Sequence, residues 1–155
     1  MPTATPISEL VRLNLVTTLQ TLVTAGVATE VVEPRGYAQL GDFNHGDLVL
    51  IPLGAKRKDQ DAEQRTDRIT KEALFEVLCL VRKSDKDNEP VDAAINDLTS
   101  RVESELMKDP SRGGYAIDTA WTAEERLSEN TRGVDGARVL FAVTIAHETT
   151  DPTSL

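Results

Sequence analysis

Residues 69–82 constrain the fold of this chain more than any other part of the sequence. In a strand they alternate between two faces, and both faces are largely apolar around one acidic position. One face carries Ala73, Phe75, Val77, Cys79 and Val81, and the other carries Leu74, Glu76, Leu78 and Leu80. A strand that is apolar on both faces needs cover on both sides. The segment therefore predicts an interior strand of a sheet.

Two amphipathic patterns predict helices. The first has apolar residues at three- and four-residue intervals, with Ser8 as a candidate N-cap and Gly26 as a stop, so we expect a helix over residues 8–25. The second begins at Pro90, which suits the first turn of a helix, and ends at Asp109-Pro110. The two apolar stripes are Ile7, Leu10, Val11, Leu15, Leu19, Leu22, Val23 and Val91, Ile95, Leu98, Val102, Leu106.

Four more segments have the composition of strands. Residues 28–33 are rich in Val and Thr, and residues 48–51 form an apolar run that Pro52 closes. A turn-rich loop, residues 35–47, separates these two segments. Alternation after Gly113-Gly114, through Trp121, and again over residues 138–149 predicts a long hairpin, with an acidic connection over residues 123–136.

The predicted order is α-β-β-β-α-β-β, without an internal repeat or a linker. This order is typical of an α+β fold, with a mostly antiparallel sheet of four to five strands packed by two helices. A chain of 155 residues has the usual length of one domain. We therefore expect a single domain over residues 1–155, with extended tails at residues 1–6 and 151–155.

Residues 54–68 are almost entirely polar or charged and keep neither a helical nor a strand period. They contain the basic triplet Lys56, Arg57 and Lys58, which Asp59, Asp61 and Glu63 follow at once. A solvated loop is a better interpretation of this pattern than a nucleic-acid site. We expect a loop between two strands that contacts a partner.

One face of the predicted sheet lacks sufficient cover. Two helices can cover about one face, and a contiguous exposed apolar patch is uncommon in monomers. The residues that need cover on the other face are Leu74, Leu78, Leu80, Leu140 and Ala142. A partner subunit or the long loops must supply it.

Composition excludes several classes of protein. The formal charge of −9 opposes general attraction to nucleic acid or anionic lipid. The single cysteine excludes an intramolecular disulfide, and the absence of a signal-like N-terminus or a long apolar run indicates synthesis in the cytoplasm without membrane insertion.

Candidate catalytic or metal-binding residues are few. His45 lies in the turn-like run Asn44-His45-Gly46-Asp47, and a zinc site would need more ligands than His147 can add. His147 could pair with a carboxylate, although solvation at a strand end explains it equally well. Cys79 is best interpreted as a small buried hydrophobic residue. We expect no enzyme activity, metal or cofactor.

The chain resembles the tail terminator, or tail-completion, proteins of long-tailed bacteriophages. The likeness lies in the order of elements over nearly the whole chain and in three local features. These are the opening helix Ile7 to Val23, the helix end Leu106-Met107-Lys108-Asp109-Pro110 followed by Gly113-Gly114, and the last strand Val143-Thr144-Ile145 running into Glu148-Thr149-Thr150 and Pro152. Related neck and head–tail joining proteins share a similar architecture.

This resemblance implies a virion protein, assembled in the host cytoplasm, that forms a homo-oligomeric and typically hexameric ring. The ring would cap the tail-tube protein and join it to the head connector, and DNA would only pass through its lumen, past a net acidic subunit. The uncovered sheet face and the loop of residues 54–68 would contact neighbours. The candidate interface residues are Lys56, Arg57, Lys58, Asp59, Arg65, Arg68, Leu78 and Leu140.

Two other classes remain open from the residues alone. A small α+β enzyme or ligand-binding domain would bring His45, His147 or Cys79 together with carboxylates in a pocket. A monomeric regulatory adaptor would not self-associate.

Overall fold

The computed structural model describes residues 4–33, 46–57, 68–82, 91–127, 134–148 and 152–153. In this part of the chain, two helices and five strands follow one another in the predicted order, which confirms the α+β class. The elements are α1 (Ile7–Thr24), β1 (Glu30–Val32), β2 (Asp47–Arg57), β3 (Arg68–Arg82), α2 (Val91–Met107), β4 (Asp118–Arg126) and β5 (Val134–Glu148).

The strands form one mixed sheet in the order β1-β2-β3-β5-β4. Only β1 and β2 pair in parallel, and the other three pairings are antiparallel. The prediction of an interior strand is confirmed, because β3 pairs with β2 on one side from Lys71 to Cys79 and with β5 on the other side along its full length. The predicted hairpin is confirmed as the pair β4 and β5.

The four long strands are aligned in level rows across the sheet. Two of these rows, each read from β2 to β4, are Lys56, Glu72, Thr144, Asp118 and Pro52, Phe75, Phe141, Trp121. Directly paired residues in adjacent strands point to the same face. Each row therefore joins the two edges of the sheet at one height.

Both helices pack on the same face of the sheet. Their apolar stripes meet one face of β2, β3 and β5 in a core that includes Leu15, Val102, Val77 and Phe141. The predicted stripes are confirmed at most positions, since Ile7, Val11, Leu15, Leu19 and Leu22 are buried, as are Ile95, Leu98, Val102 and Leu106. This arrangement leaves the opposite face of the sheet without a helix among the described residues.

The start of α1 differs from the prediction. The residue at the N-cap is Pro6, without a side-chain cap, and Ser8 lies inside the first turn. The backbone N–H of Ile7 instead donates to the carbonyl of Pro152, at 3.0 Å. Pro152 and Thr153 form a turn, whereas we expected an extended tail. The sequence pattern predicted that a side chain would cap this helix terminus. In the structure, a residue distant in sequence accepts the hydrogen bond of a terminal N–H instead.

The predicted loop over residues 54–68 is wrong at both ends. Strand β2 continues past Pro52 to Arg57, and β3 begins at Arg68. A bulge between Pro52 and Gly54 allows the strand to continue, and Gly54 adopts a φ of +121° that suits glycine. An edge strand exposed to solvent tolerates charged residues, so polarity there does not indicate a loop. Residues 58–67 lie outside the described part of the chain.

The second hairpin also has different bounds. Tyr115 and Ile117 precede β4, which begins at Asp118 and continues to Arg126 through part of the predicted acidic connection. Strand β5 begins at Val134, four residues earlier than expected. A bulge between Trp121 and Ala123 changes which side chains face the core. The two-residue alternation of apolar and polar residues that indicates a strand is therefore interrupted in the sequence. Of the predicted loop over residues 35–47, only Gly46 and Asp47 are described, and Asp47 belongs to β2.

Candidate assembly surfaces

The sheet face opposite the helices is only partly covered by the described residues. Near one end, Val49, Ile51, Leu78 and Leu80 form a second buried cluster against Val32 and Leu127. Further along the same face, Leu74, Leu140 and Ala142 are half-buried. The expected apolar face therefore exists. Among the described residues, the middle and the far end of this face remain partly accessible to solvent.

A charged cluster lies in the middle of this face. Glu76 is buried, and Nη1 of Arg138 lies 3.9 Å from its Oε1. Nη2 of Arg138 lies 2.5 Å from Oε2 of Glu125 on β4. Burial raises the pKa of Glu76, Arg138 acts against this shift, and Glu125 adds to it. The positive charge of Arg138 thus compensates for the burial of the Glu76 carboxylate.

Strand β4 forms an open edge of the sheet, since among the described strands only β5 pairs with it. Its side chains are mostly exposed. Two large apolar residues are exposed at this edge, Ile117 at 63% and Trp121 at 49%. The edge also carries three acidic residues, Asp118, Glu124 and Glu125, against one basic residue, Arg126. It combines free backbone groups, apolar side chains and negative charge.

A pair of carboxyl groups joins α2 to this edge. Glu103 on α2 lies beside Glu124 and Trp121 of β4, and its Oε1 is buried without a hydrogen-bond partner among the described residues. Burial raises the pKa of Glu103, and the negative charge of Glu124 raises it further. Two neighbouring carboxyl groups favour retention of one proton. No local pattern indicated this pair, because Glu103 and Glu124 are far apart in the chain.

Strand β2 forms a second open edge. Strand β1 covers it only from Asp47 to Val49, and no described strand pairs with the outer side of residues 50–57. Leu53 is 41% exposed at the bulge, and Lys56 is exposed beyond it. Residues 50–57 contain the basic residues Lys56 and Arg57 and no acidic residue, so this stretch of the edge is basic. The two open edges of the sheet thus carry opposite charge.

The predicted interface residues that the structure describes do not form one patch. Lys56 and Arg57 lie on the β2 edge, and Arg68 begins β3, paired with Glu148. Leu78 is only 6% exposed and Leu140 is half-buried. The three remaining candidates, Lys58, Asp59 and Arg65, lie outside the described residues. Sequence reasoning did not identify the exposed side chains of the β4 edge.

The two candidate chemical residues that the structure describes, Cys79 and His147, are not brought together. Cys79 is fully buried in the core, where burial raises the pKa of its thiol, as expected for a small hydrophobic residue. His147 is 4% exposed, so solvation does not explain it. It pairs with Ile69, ten positions along β5 from the partner of Cys79. His45 lies outside the described residues, and those described contain no group of ligands suited to a metal ion.

Arg112 closes the end of α2. Its side chain is fully buried, and its Nη2 donates to the carbonyl oxygens of Leu106 and Asp109. Its backbone has a φ of +50°, directly before two glycines with positive φ. Burial lowers the pKa of the guanidinium. The sequence marked Gly113-Gly114 as a turn and missed the arginine that holds it.

These features define a two-layer α+β domain with two unlike open edges and one partly covered sheet face. No protein-family model matches the chain, and a search of curated proteins finds no match. Among the described residues, no helix is both long and apolar enough to cross a membrane.

Proposed function

We propose that the chain is a structural virion protein of the tail-terminator type, whose copies form a ring. The ring caps the tail tube and joins it to the head connector. The observation that carries this proposal is the pair of open sheet edges with opposite charge. A subunit with two different, complementary surfaces favours head-to-tail contacts, and such contacts close into a ring when the rotation permits.

The partly covered sheet face supports the same proposal. Leu74, Leu140 and Ala142 lie half-buried along a face without a described helix. A face of this kind has accessible apolar surface for a second protein, such as the tail-tube protein or the connector. Buried Glu76 and the partly exposed Arg138 hold charge in the middle of the face, which favours a partner with matching polar groups.

Net charge is consistent with passage of DNA through the ring. The chain carries a formal charge of −9, and an acidic wall repels phosphate. In an assembled ring we expect few Lys and Arg side chains on the channel wall. A channel wall dominated by basic residues in an electron-microscopy reconstruction would contradict this part of the proposal.

The decisive measurement is the size of the purified chain by light scattering, alone and mixed with a tail-tube protein. We expect a closed oligomer of one size, visible as rings by electron microscopy, either alone or on the end of tubes. A chain that stays monomeric in both conditions and does not bind tubes would overturn the proposal. Binding to a purified connector without binding to tubes would instead favour a neck protein of the same architecture.

A further inference from the structure

We infer that neighbouring copies join through their two open edges, so that residues 54–57 of one copy pair with residues 117–120 of the next. The inference rests on the self-assembly proposed above and specifies its contact. The partner that pairs with each edge is a second copy of this chain. Three properties of the sheet support this contact: its level rows, the directions of its strands and the distribution of charge.

The rows place matching side chains at the same height on opposite edges. Lys56 and Asp118 end the same row, three strand spacings apart. A copy added beside the sheet without a shift along the strands therefore sets Lys56 of one copy beside Asp118 of the other. Directly opposed charges of opposite sign stabilise a strand pair.

The apolar residues also match in height. Trp121 ends the row that begins at Pro52, next to the exposed Leu53. The same level addition brings the Trp121 indole towards Leu53 and buries two exposed apolar side chains. Large aromatic residues contribute strongly to protein interfaces. The same placement of the second copy thus forms both the charge pair and the apolar contact.

Strand direction agrees with this pairing. Strand β2 is antiparallel to β3, β3 to β5, and β5 to β4, so β2 and β4 run in opposite directions. A level copy therefore adds its β2 edge to the β4 edge as an antiparallel pair. Antiparallel pairs are slightly more stable per residue than parallel ones.

Pairing of like edges is disfavoured by charge. Two β4 edges would oppose Asp118, Glu124 and Glu125 with the same set, and two β2 edges would oppose Lys56 and Arg57 with their copies. Like charges that face each other across a strand pair are destabilising. Contact between unlike edges is therefore favoured over a two-fold dimer.

The bulges limit the length of the ladder. Pro52 has no backbone N–H, and both edge strands bulge next to the row of Pro52 and Trp121. Continuous pairing is then confined to the four residues on each side named above. A short ladder is weak by itself. Because each copy is added without a shift along the strands, successive copies stay at one height and can close into a ring.

Disulfide cross-linking of the variants Lys56→Cys and Asp118→Cys tests this contact. Within one copy the two positions are three strand spacings apart, roughly 14 Å, so they cannot bridge internally. The native Cys79 is buried and gives no background. Both substituted positions are exposed, which preserves the fold; thermal unfolding of each variant checks this.

We expect a mixture of the two single variants to form covalent dimers under mild oxidation, and the double variant to form a ladder that ends at the ring. Each single variant alone should stay uncross-linked. Dimers of Asp118→Cys alone would show two-fold pairing of β4 edges and overturn the inference. Rings by light scattering without cross-linking would overturn the inference and leave the proposed function standing, whereas no assembly at all would overturn both.

Charge reversal gives an independent measurement. Lys56→Asp or Asp118→Lys should each weaken association by up to about fivefold per contact, since each sets like charges side by side. The double reversal should restore association to near the level of the native chain. Additive weakening in the double variant would show that the two residues do not meet.

Discussion

Nη1 of Arg138 lies 3.9 Å from Oε1 of Glu76, on the face of the sheet that carries no described helix. The second partner of Arg138 is Glu125, at 2.7 Å from Nε. The guanidinium therefore joins β3, β5 and β4 across the sheet. This position makes Arg138 more important for stability than an exposed ion pair, because one of its partners is buried.

Arg138→Met should destabilise the fold by about 1–2 kcal/mol at neutral pH, because it leaves the Glu76 carboxylate buried without a compensating cation. Glu76→Gln in addition should recover most of this loss. Denaturant unfolding of the two single variants and the double variant measures the coupling. A loss in Arg138→Met that Glu76→Gln does not reduce would show that the arginine stabilises through Glu125 or through packing.

The same cluster predicts a pH dependence. The pKa of Glu76 is raised in the folded state, so the native protein binds more protons than the unfolded chain as the pH rises from the ordinary Glu value, about 4.3. Its contribution to stability is therefore greatest below that value and falls as pH rises through the raised pKa. Arg138→Met should steepen this fall, and Glu76→Gln should remove it.

Periodicity predicted the elements that bury a continuous apolar face. Strand β3 and both helices bury the residues that the sequence indicated, since a core position must be apolar whatever its neighbours are. The outer half of β2 and the end of β4 escaped prediction. At a solvent-exposed edge the backbone ladder alone maintains the strand, and the bulges at Leu53 and Thr122 interrupt the alternation.

The candidate site was predicted less well than the fold. The apolar face without a helix was predicted from the sequence, because two helices can cover only about one of the two faces of the sheet. The open edges were not predicted. Whether a strand lies at an edge depends on sheet order, and β4 lies outside β5 because it pairs there and nowhere else among the described strands. The level alignment of Lys56 with Asp118 depends on the register of three strand pairs, which no local pattern contains.

Arg112→Ala should cost about 2 kcal/mol. It removes the donors to the carbonyl oxygens of Leu106 and Asp109 and leaves a non-glycine residue at a positive φ. Arg112→Gly relieves the backbone conformation, so it separates this term from the loss of the guanidinium. Urea unfolding of both variants provides the measurement.

A matched control is Arg101→Ala, which removes an exposed arginine that pairs with Asp97 at 3.2 Å. This change should cost less than about 0.5 kcal/mol, because exposed ion pairs contribute little. Equal losses at positions 112 and 101 would contradict the role of Arg112 in holding the end of α2.

Cys79 should be unreactive in the folded protein. Its thiol is fully buried and burial raises its pKa, so both access and the thiolate fraction are low. A thiol reagent should react at least about a thousandfold more slowly with the native chain than with the chain in urea. The variant Asp118→Cys, with an exposed thiol added, should react at once at that second site. Rapid native labelling of Cys79 would mean that the core opens locally around β3.

Glu103 should respond to pH because it is partly buried beside the carboxyl group of Glu124. The pKa of Glu103 is raised by burial and then by Glu124, so the contribution of this group to stability is greatest at low pH and falls as pH rises through the raised pKa. Glu124→Gln removes the like charge. It should stabilise the fold by about 0.5 kcal/mol above that pH range and have little effect below it.

Trp121 reports this titration directly, because it is the only tryptophan and its side chain lies beside Glu103. The fluorescence of the native chain should change as pH rises from about 4 through the raised pKa. Glu103→Gln should abolish the change, and Glu124→Gln should move its midpoint to lower pH, since loss of the neighbouring charge eases ionisation of Glu103. Asp97→Asn, on an exposed part of α2, should leave the curve unaltered. An identical midpoint in Glu124→Gln and the native chain would show that the two carboxyl groups are not coupled.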